Sequence, residues 1–402
     1  MAPREWRWLA AIFLLALIAR VGWVLVAPRL DPVLSHDPLY GDASGYNLLA
    51  ANLVKGWGLT WDGKTPTSYR MPGYPAFLAL VYSVAGQSSE IVRLTQAVLG
   101  ALLCIPVFAI ARRLGGESIA VLAGLGIALH PLLIYMSGWL YSETLFLLLL
   151  WAGLWLLVRA WEGGSSHDTI AAGMALGLAT YVRPEIFAFP LFAAIVGTLL
   201  RWPRQRLQVF MVIQAVLVVM ILPWTVRNYS AHGGIVLLAT NTGTNLYGAN
   251  NPLADGGLPR DQIFALPDVS EVESDRLLAG RALDWITANP RAFLRLLPLK
   301  LLKFFSATAI KTAGNPLGKW AVPIDFAYWL FVFVAIFGWV RTHKSGTSAI
   351  LALVLGWYVL LALIFSGGTR VALPVAPALV VLAARGACEL RHVWHSRFAG
   401  SA

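Results

Sequence analysis

Apolar runs of near-membrane length recur along the chain, at residues 8–27, 91–111, 118–136, 142–160, 168–182, 185–200, 207–225, 323–340, 347–365 and 371–388. A helix needs about 20 apolar residues to cross a bilayer core, so the pattern predicts about ten spans. The pair 168–182 and 185–200 is short enough to be tilted or broken. Two of the gaps are long, 28–90 and 226–322. In the first, the spacing of Tyr46, Leu49, Ala50, Leu53 and Val54 predicts a helix over 43–55, starting after Asp42. Pro75–Ala85 forms a second apolar stretch, too short to span, that is expected to lie along the interface. In the second gap, 271–289 reads as a helix that stops at Asn289-Pro290. Phe293–Thr308 is apolar but carries Arg295, Lys300 and Lys303, and reads as an amphipathic helix on the outer leaflet. Its basic residues either anchor it or face lipid phosphates.

The fold class expected is an all-α polytopic membrane protein. It divides into a helical module at 1–225, an extracytoplasmic loop with an interfacial helix at 226–322, and C-terminal spans with a tail at 323–402. Composition agrees: 58% of residues are hydrophobic and 13% charged, against about a quarter charged in soluble domains. The net charge of +11 follows from topology, because Lys and Arg collect in cytoplasmic loops. With the N-terminus inside, those loops hold Arg4, Arg7, Arg112, Arg113, Arg159, Arg201, Arg204, Arg206, Arg341, Lys344, Arg391 and Arg397. No basic run is interleaved with aromatics, so no nucleic-acid partner is expected. Cys104 and Cys388 fall in apolar segments and read as small core residues. The apolar run to Ala27 is long for a signal peptide and reads as an uncleaved first span. The Pro-rich turn at Leu373-Pro374-Val375-Ala376-Pro377 is compatible with a span if neighbouring helices satisfy its freed backbone groups. No solenoid period and no pair of matching broken helices stands out, which disfavours a secondary transporter.

The chemistry concentrates just after the first span, in Tyr40-Gly41-Asp42-Ala43-Ser44-Gly45-Tyr46 and then Tyr69-Arg70-Met71-Pro72-Gly73-Tyr74-Pro75. Asp42 has two readings, a helix-capping carboxylate or a reactive one. Glu143, at the outer start of a span, is a partner for Arg70 or Arg183, a second acidic site residue, or a charge favoured by the helix dipole. His130 reads as a hydrogen-bonded core residue, and His232 as a residue placed to approach the first loop.

These segments resemble the GT-C glycosyltransferases. The nearest group is family 39, with the dolichyl-phosphate-mannose protein mannosyltransferases and the aminoarabinose transferase of lipid A. Further matches follow in order: Ser142-Glu143-Thr144, Thr180-Tyr181-Val182-Arg183-Pro184, Pro223-Trp224-Thr225-Val226-Arg227-Asn228-Tyr229, the run from Asn241 to Pro252, and Arg370-Val371-Ala372-Leu373-Pro374. The resemblance implies a GT-C-type transmembrane bundle with juxtamembrane helices in its first extracytoplasmic loop. It implies transfer of a sugar from a polyprenyl-phosphate donor to a lipid, glycan or protein acceptor outside a bacterial inner membrane. Asp42 matches the family's catalytic carboxylate, with Glu143 beside it. A poor nucleophile needs a base within reach, and a leaving phosphate needs fixed cations. Arginine suits that task through its planar fork. Arg70 is the first candidate to hold the phosphate, Arg183 and Arg370 the next, and Arg227 a weaker one. Tyr46, Tyr69, Asn241, Asn245 and Tyr247 are candidates to bind sugar or acceptor, with Asn250 and Asn251 beside them, although Asn-rich turns need no ligand to explain them. Some relatives hold a metal with His and Glu near the site. Tyr69 stands before the loop arginine here instead of an acid, so no required metal is expected, a divalent ion being the alternative. A transporter or flippase of lipid-linked sugars and a non-catalytic membrane scaffold are the competing classes.

Overall fold

The computed structural model describes residues 2–31, 34, 39–257, 266, 269–308 and 321–398, with the side chains of 321 and 393–398 left aside. The side chain of Arg397 and the parts of the long loops at 32–33, 35–38, 258–265, 267–268 and 309–320 therefore lie outside the description. Helix α1 runs Pro3–Leu30 and buries one stripe, Leu9, Ile12, Ala16, Arg20, Val24 and Ala27. Leu14, Ile18 and Leu25 on its other face are exposed, as a lipid-facing side requires. The first loop holds α2 (Asp42–Val54) and α3 (Gly73–Ala85), close to their expected bounds. Then come α4 (Ser89–Leu102) and α5 (Cys104–Gly115), a single crossing in two pieces, followed by α6 (Glu117–Ala128) and α7 (Pro131–Met136). Next are α8 (Glu143–Gly163), α9 (Ser166–Val182), α10 (Phe189–Leu199) and α11 (Arg204–His232). The second long stretch contains α12 (Thr242–Ala249), α13 (Glu271–Ala288) and α14 (Pro290–Phe304). The chain ends with α15 (Ala321–Thr342), α16 (Gly346–Ile364), the short α17 (Thr369–Ala372) and α18 (Ala376–Phe398).

Seven of the described helices or helix pairs are long and apolar enough to cross a membrane. Three of the ten expected spans are shorter than that. The run 118–136 divides into α6 and α7, and 168–182 and 185–200 become α9 and α10. The reason in the first case is Pro131, which lacks an N–H and stops the preceding helix in mid-bundle. The carbonyls orphaned there are taken by Arg20, which is fully buried. Its Nη1 donates to Ala128 O at 3.1 Å and its Nη2 to Ile127 O at 3.1 Å. A charge in an apolar span is costly without such partners, so Arg20 and the break in α6 explain one another. The Pro-rich turn before α18 is handled similarly: Trp151 Nε1 donates to Pro374 O at 3.1 Å.

The helix ends sort to two poles. At one, Arg4 pairs with Glu117 at 3.1 Å, Arg112 with Glu5, Arg113 with Glu162, and Arg159 with Asp168 at 2.9 Å. Thr347 donates to Glu162 there at 2.7 Å. The arginines of the short loops thus gather at the starts of α1, α6, α9 and α16. The other pole carries the first loop, the start of α8, the end of α9 and α17.

The amphipathic helix exists as α14, but Lys300 does not face lipid. It is fully buried and donates to Asn250 Oδ1 at 2.8 Å and to Leu363 O at 3.0 Å. Burial pushes its ammonium down to about 8. Lys303 pairs with Asp255 at 3.0 Å. Only Arg295 of the three stays exposed. The C-terminal carbonyls of α16 need donors, and Lys300 is the side chain positioned to supply one.

Gly73 shows how tightly the first loop sits on the bundle. A methyl group there would stand 2.6 Å from Tyr181 O and 2.9 Å from Val182 N, both backbone atoms at the end of α9. Gly73→Ala should therefore lower stability by about 1–3 kcal/mol, read as a lower thermal unfolding midpoint of the purified protein in detergent; an unchanged midpoint would show that α3 moves away freely.

Candidate active site

The first loop reaches its place through a polar clamp. Asp62 closes a turn by accepting from Lys64 N at 2.8 Å and Thr65 N at 2.7 Å. Beyond it, Ser68 N donates to Glu271 Oε1 at 2.8 Å and Thr67 Oγ1 to Glu271 Oε2 at 2.5 Å. Arg227 donates to Thr67 O at 2.8 Å and Ser68 Oγ at 3.0 Å. Its guanidinium clamps the loop. His232 does approach the first loop, with Nε2 2.8 Å from Ser68 Oγ. This clamp ties the segment before Arg70 to the end of α11 and the start of α13.

Asp42 is the first residue of α2, and the capping position before it is Gly41, at φ +67°. A side chain at that glycine would be both strained and 2.9 Å from the Tyr141 hydroxyl. The capping position is thus held by Gly41, and Asp42 is an acidic residue of the first turn. It turns to two guanidiniums: Arg70 Nη2 donates to Oδ1 at 2.7 Å and Arg370 Nη2 to Oδ2 at 3.0 Å. Burial alone would raise its pKa; Arg370 and Arg70 outweigh burial and hold the carboxyl well below the usual carboxylate range.

The ion pairs continue inward. Arg370 reaches Glu143 Oε1 from both Nε, at 2.8 Å, and Nη2, at 2.5 Å. Arg183 Nη1 reaches the same oxygen at 3.0 Å, while its Nε holds Glu185 at 2.6 Å. The result is an alternating chain, Arg70–Asp42–Arg370–Glu143–Arg183–Glu185, built from six separate positions along the sequence. Glu143 thus partners Arg183, one of its two expected arginines, and Arg370 in place of Arg70. Its side chain is only 2% exposed, against 33% for Asp42. Glu143 lies deeper than Asp42 and is joined to it through Arg370. Aromatic faces support the cations: Arg70 sits 4.4 Å from the Tyr46 ring centroid and Arg370 4.3 Å from that of Tyr141.

The expected substrate residues divide. Tyr46 is buried under Arg70, with its edge against Tyr74. Tyr69 is half-buried beside Trp61. Asn241 and Tyr247 are half-buried and Asn245 exposed on α12. The start of α12 is joined to the first loop through the Thr240 N bond to Ser68 O, 3.1 Å. Asn250 and Asn251 are buried structural amides that donate to Ile364 O at 2.9 Å and Tyr247 O at 2.8 Å. The sequence offers Glu185 as a local partner of Arg183 or a helix-start charge, and the structure shows the pair; sequence reasoning missed Tyr141 as a support, and Lys300 and Arg20 as buried caps. Arg20 alone had a signal, a lone charge inside an apolar run.

Among the described residues no three His, Cys, Asp or Glu side chains gather as metal ligands. Both oxygens of Asp42 are taken by guanidiniums, so a divalent ion would have to displace an arginine.

Comparison with known proteins places the fold. A family model described as dolichyl-phosphate-mannose-protein mannosyltransferase matches residues 66–226, less than half of the chain. That segment contains Arg70, Glu143 and Arg183, and lacks Asp42 and Arg370. The oligosaccharyltransferase of Archaeoglobus fulgidus in its apo form superposes with a TM-score of 0.59 at 15% identity, over 98% of this chain and 51% of that one. The archaeal oligosaccharyltransferase AglB from Archaeoglobus fulgidus, in complex with an inhibitory peptide and a dolichol-phosphate, gives 0.57 at 16% identity, over 99% and 52%. ArnT from Cupriavidus metallidurans bound to undecaprenyl phosphate is also found, with a TM-score of 0.45 at 16% identity, over 99% and 80%. No curated protein sequence matches the chain. The chain spans about half the length of the oligosaccharyltransferase it superposes on. The family-model match bears out the resemblance to the GT-C glycosyltransferases, and the oligosaccharyltransferase superpositions bear out the GT-C-type helical bundle.

The pairing geometry sets an order of stability effects. Removing one partner of a buried pair costs about 3–5 kcal/mol. Glu143→Gln should therefore lower the unfolding midpoint in detergent far more than Glu185→Gln, whose side chain is 21% exposed. Equal losses would deny Glu143 its place as the hub.

Proposed function

We propose that the protein is a membrane glycosyltransferase that moves a sugar from a polyprenyl-phosphate carrier to an acceptor hydroxyl or amine on the extracytoplasmic side. The observation that carries this reading is the carboxylate of Asp42 set between two partly exposed arginines at one pole of the bundle. The opposite pole holds the arginines of the short loops, and positive loops face the cytoplasm. The archaeal oligosaccharyltransferase that shares this fold has been solved with a dolichol-phosphate, which supports a polyprenyl-phosphate donor here.

In the reaction, the bond between the sugar's anomeric carbon and the phosphate oxygen breaks, and its electron pair leaves with the phosphate. The acceptor oxygen or nitrogen forms the new bond to that carbon and gives its proton to Asp42. Arg70 and Arg370 bind the phosphate and stabilise the charge it gains. Arg183 and Glu143 hold Arg370 in place. Tyr69, Asn241, Asn245 and Tyr247 line the approach for sugar or acceptor, and Tyr46 supports Arg70. No metal enters these steps. The flippase reading asks for free ionisable groups in mid-membrane, yet Arg20 gives its N–H groups to Ala16 O in its own helix and to Ile127 O and Ala128 O at the end of α6.

Purified protein supplied with radiolabelled polyprenyl-phosphate sugars and a panel of acceptors should transfer label. Asp42→Asn should abolish that transfer, because a carboxamide keeps the shape and cannot take a proton. Arg70→Ala should raise the donor KM by roughly tenfold or more, the worth of one charge-assisted hydrogen bond. Near-normal turnover in Asp42→Asn would end the assignment of Asp42 as base, and an unchanged donor KM in Arg70→Ala would make Arg70 structural.

A further inference from the structure

We propose that the donor's phosphate itself turns Asp42 into a base, by taking Arg70 and Arg370 away from it. This rests on the reading of the site as a donor-phosphate site and adds how that site is switched on.

The charges of the site are already balanced. Three guanidiniums alternate with three carboxylates, and each arginine is in an ion pair: Arg70 with Asp42, Arg370 with Asp42 and Glu143, Arg183 with Glu143 and Glu185. An arriving phosphate finds no unpaired cation in the chain, and although Arg70 Nε has no partner it is buried. It must compete with one of the carboxylates. Glu143 is sealed in at 2% exposure and receives three N–H groups on one oxygen. Glu185 is paired with Arg183 two residues away on the same turn, at 2.6 Å. Asp42 is the most exposed of the three, at 33%, and it stands at the outer end of the chain on a short helix. Asp42 is the carboxylate that yields.

Its chemistry requires it to yield. With a guanidinium on each oxygen, the carboxylate favours its charged form and has little affinity for a proton. Once phosphate oxygens accept the N–H groups of Arg70 and Arg370, the Asp42 oxygens are released beside the bound donor, and a phosphate anion nearby raises their proton affinity further. The acceptor's proton then passes to Asp42 as the sugar–phosphate bond breaks, and the same two arginines meet the charge on the leaving phosphate. When the polyprenyl phosphate departs, the arginines return to Asp42 and expel the proton to water. One exchange of partners thus couples donor binding, base activation and reset.

The test is the sign of a binding change. Undecaprenyl phosphate, carrying no sugar, is titrated against the full-length protein in nanodiscs. If the phosphate has to displace Asp42, then Asp42→Asn, though inactive in transfer, should bind it about tenfold more tightly than the wild type, since a neutral amide competes poorly for the arginines. Equal or weaker binding by Asp42→Asn would overturn the exchange, because it would mean that Asp42 helps to build the phosphate site. Absence of binding by the wild type would instead remove the donor-phosphate reading beneath it. A second measurement needs no variant. With donor varied, the acid limb of kcat/KM reports the free enzyme and that of kcat the donor complex. Asp42 is held low in the free enzyme, so the limb of kcat should lie at the higher pH; coincident limbs would overturn the exchange. The charged and titratable groups coupled to Asp42 are Arg70, Arg370, Glu143, Tyr69 and Tyr141; only Glu143 belongs to a type that titrates in that acid range, and it keeps its pair with Arg183 when the donor binds.

Discussion

Everything at the functional pole depends on one buried carboxylate. Glu143 sits at the start of a membrane-length helix with almost no exposed surface, where an unpaired charge would be costly. It is tolerated because Arg370 and Arg183 converge on it from the far end of the chain and from the end of α9. Those arginines are in turn unfavourable without it. The pairing therefore fixes α8, α9 and α17 against one another, and it leaves Arg370 with a donor to spare for Asp42. The first loop completes the chain by bringing Arg70 to the other oxygen of that carboxylate.

The same rule, that a charge within an apolar bundle must find its partners, operates at a distance from the site. Arg20 caps the broken end of α6, and Lys300 caps the end of α16 and holds Asn250. Both are basic groups spent on backbone carbonyls. The rule separates structural cations from candidates for chemistry. Arg20, Lys300 and Arg227 give their N–H groups to carbonyls and hydroxyls of the fold. Arg70, Arg183 and Arg370 give theirs to carboxylates that a phosphate can replace or imitate.

The fold class, most helices and the polar pole were legible in the sequence. Apolar run length located the crossings, because a helix in lipid must be long and apolar whatever surrounds it. The helices at Asp42–Val54, Gly73–Ala85 and Glu271–Ala288 followed from apolar periodicity and breakers. Failures arose where a neighbour decides the outcome. The run 118–136 looks continuous because the break at Pro131 changes little in its hydropathy. Lys300 looks like an interfacial lysine because its acceptors, Asn250 and Leu363, lie about fifty and sixty residues away.

By itself the sequence determined that this chain is a helical membrane protein and that Asp42 and Arg70 stand together after its first span, since the two belong to one short stretch of loop. It left Asp42 open between a helix cap and a reactive group. Only the tertiary structure showed where the carboxylate turns, by bringing Arg370 some 330 residues along the chain to its second oxygen. It also settled which arginine Glu143 serves beyond Arg183, and turned Arg227 into a backbone clamp. The physical reason is the same in each case: a side chain's type and spacing set what it is able to bind, and its partners across the bundle set what it does bind.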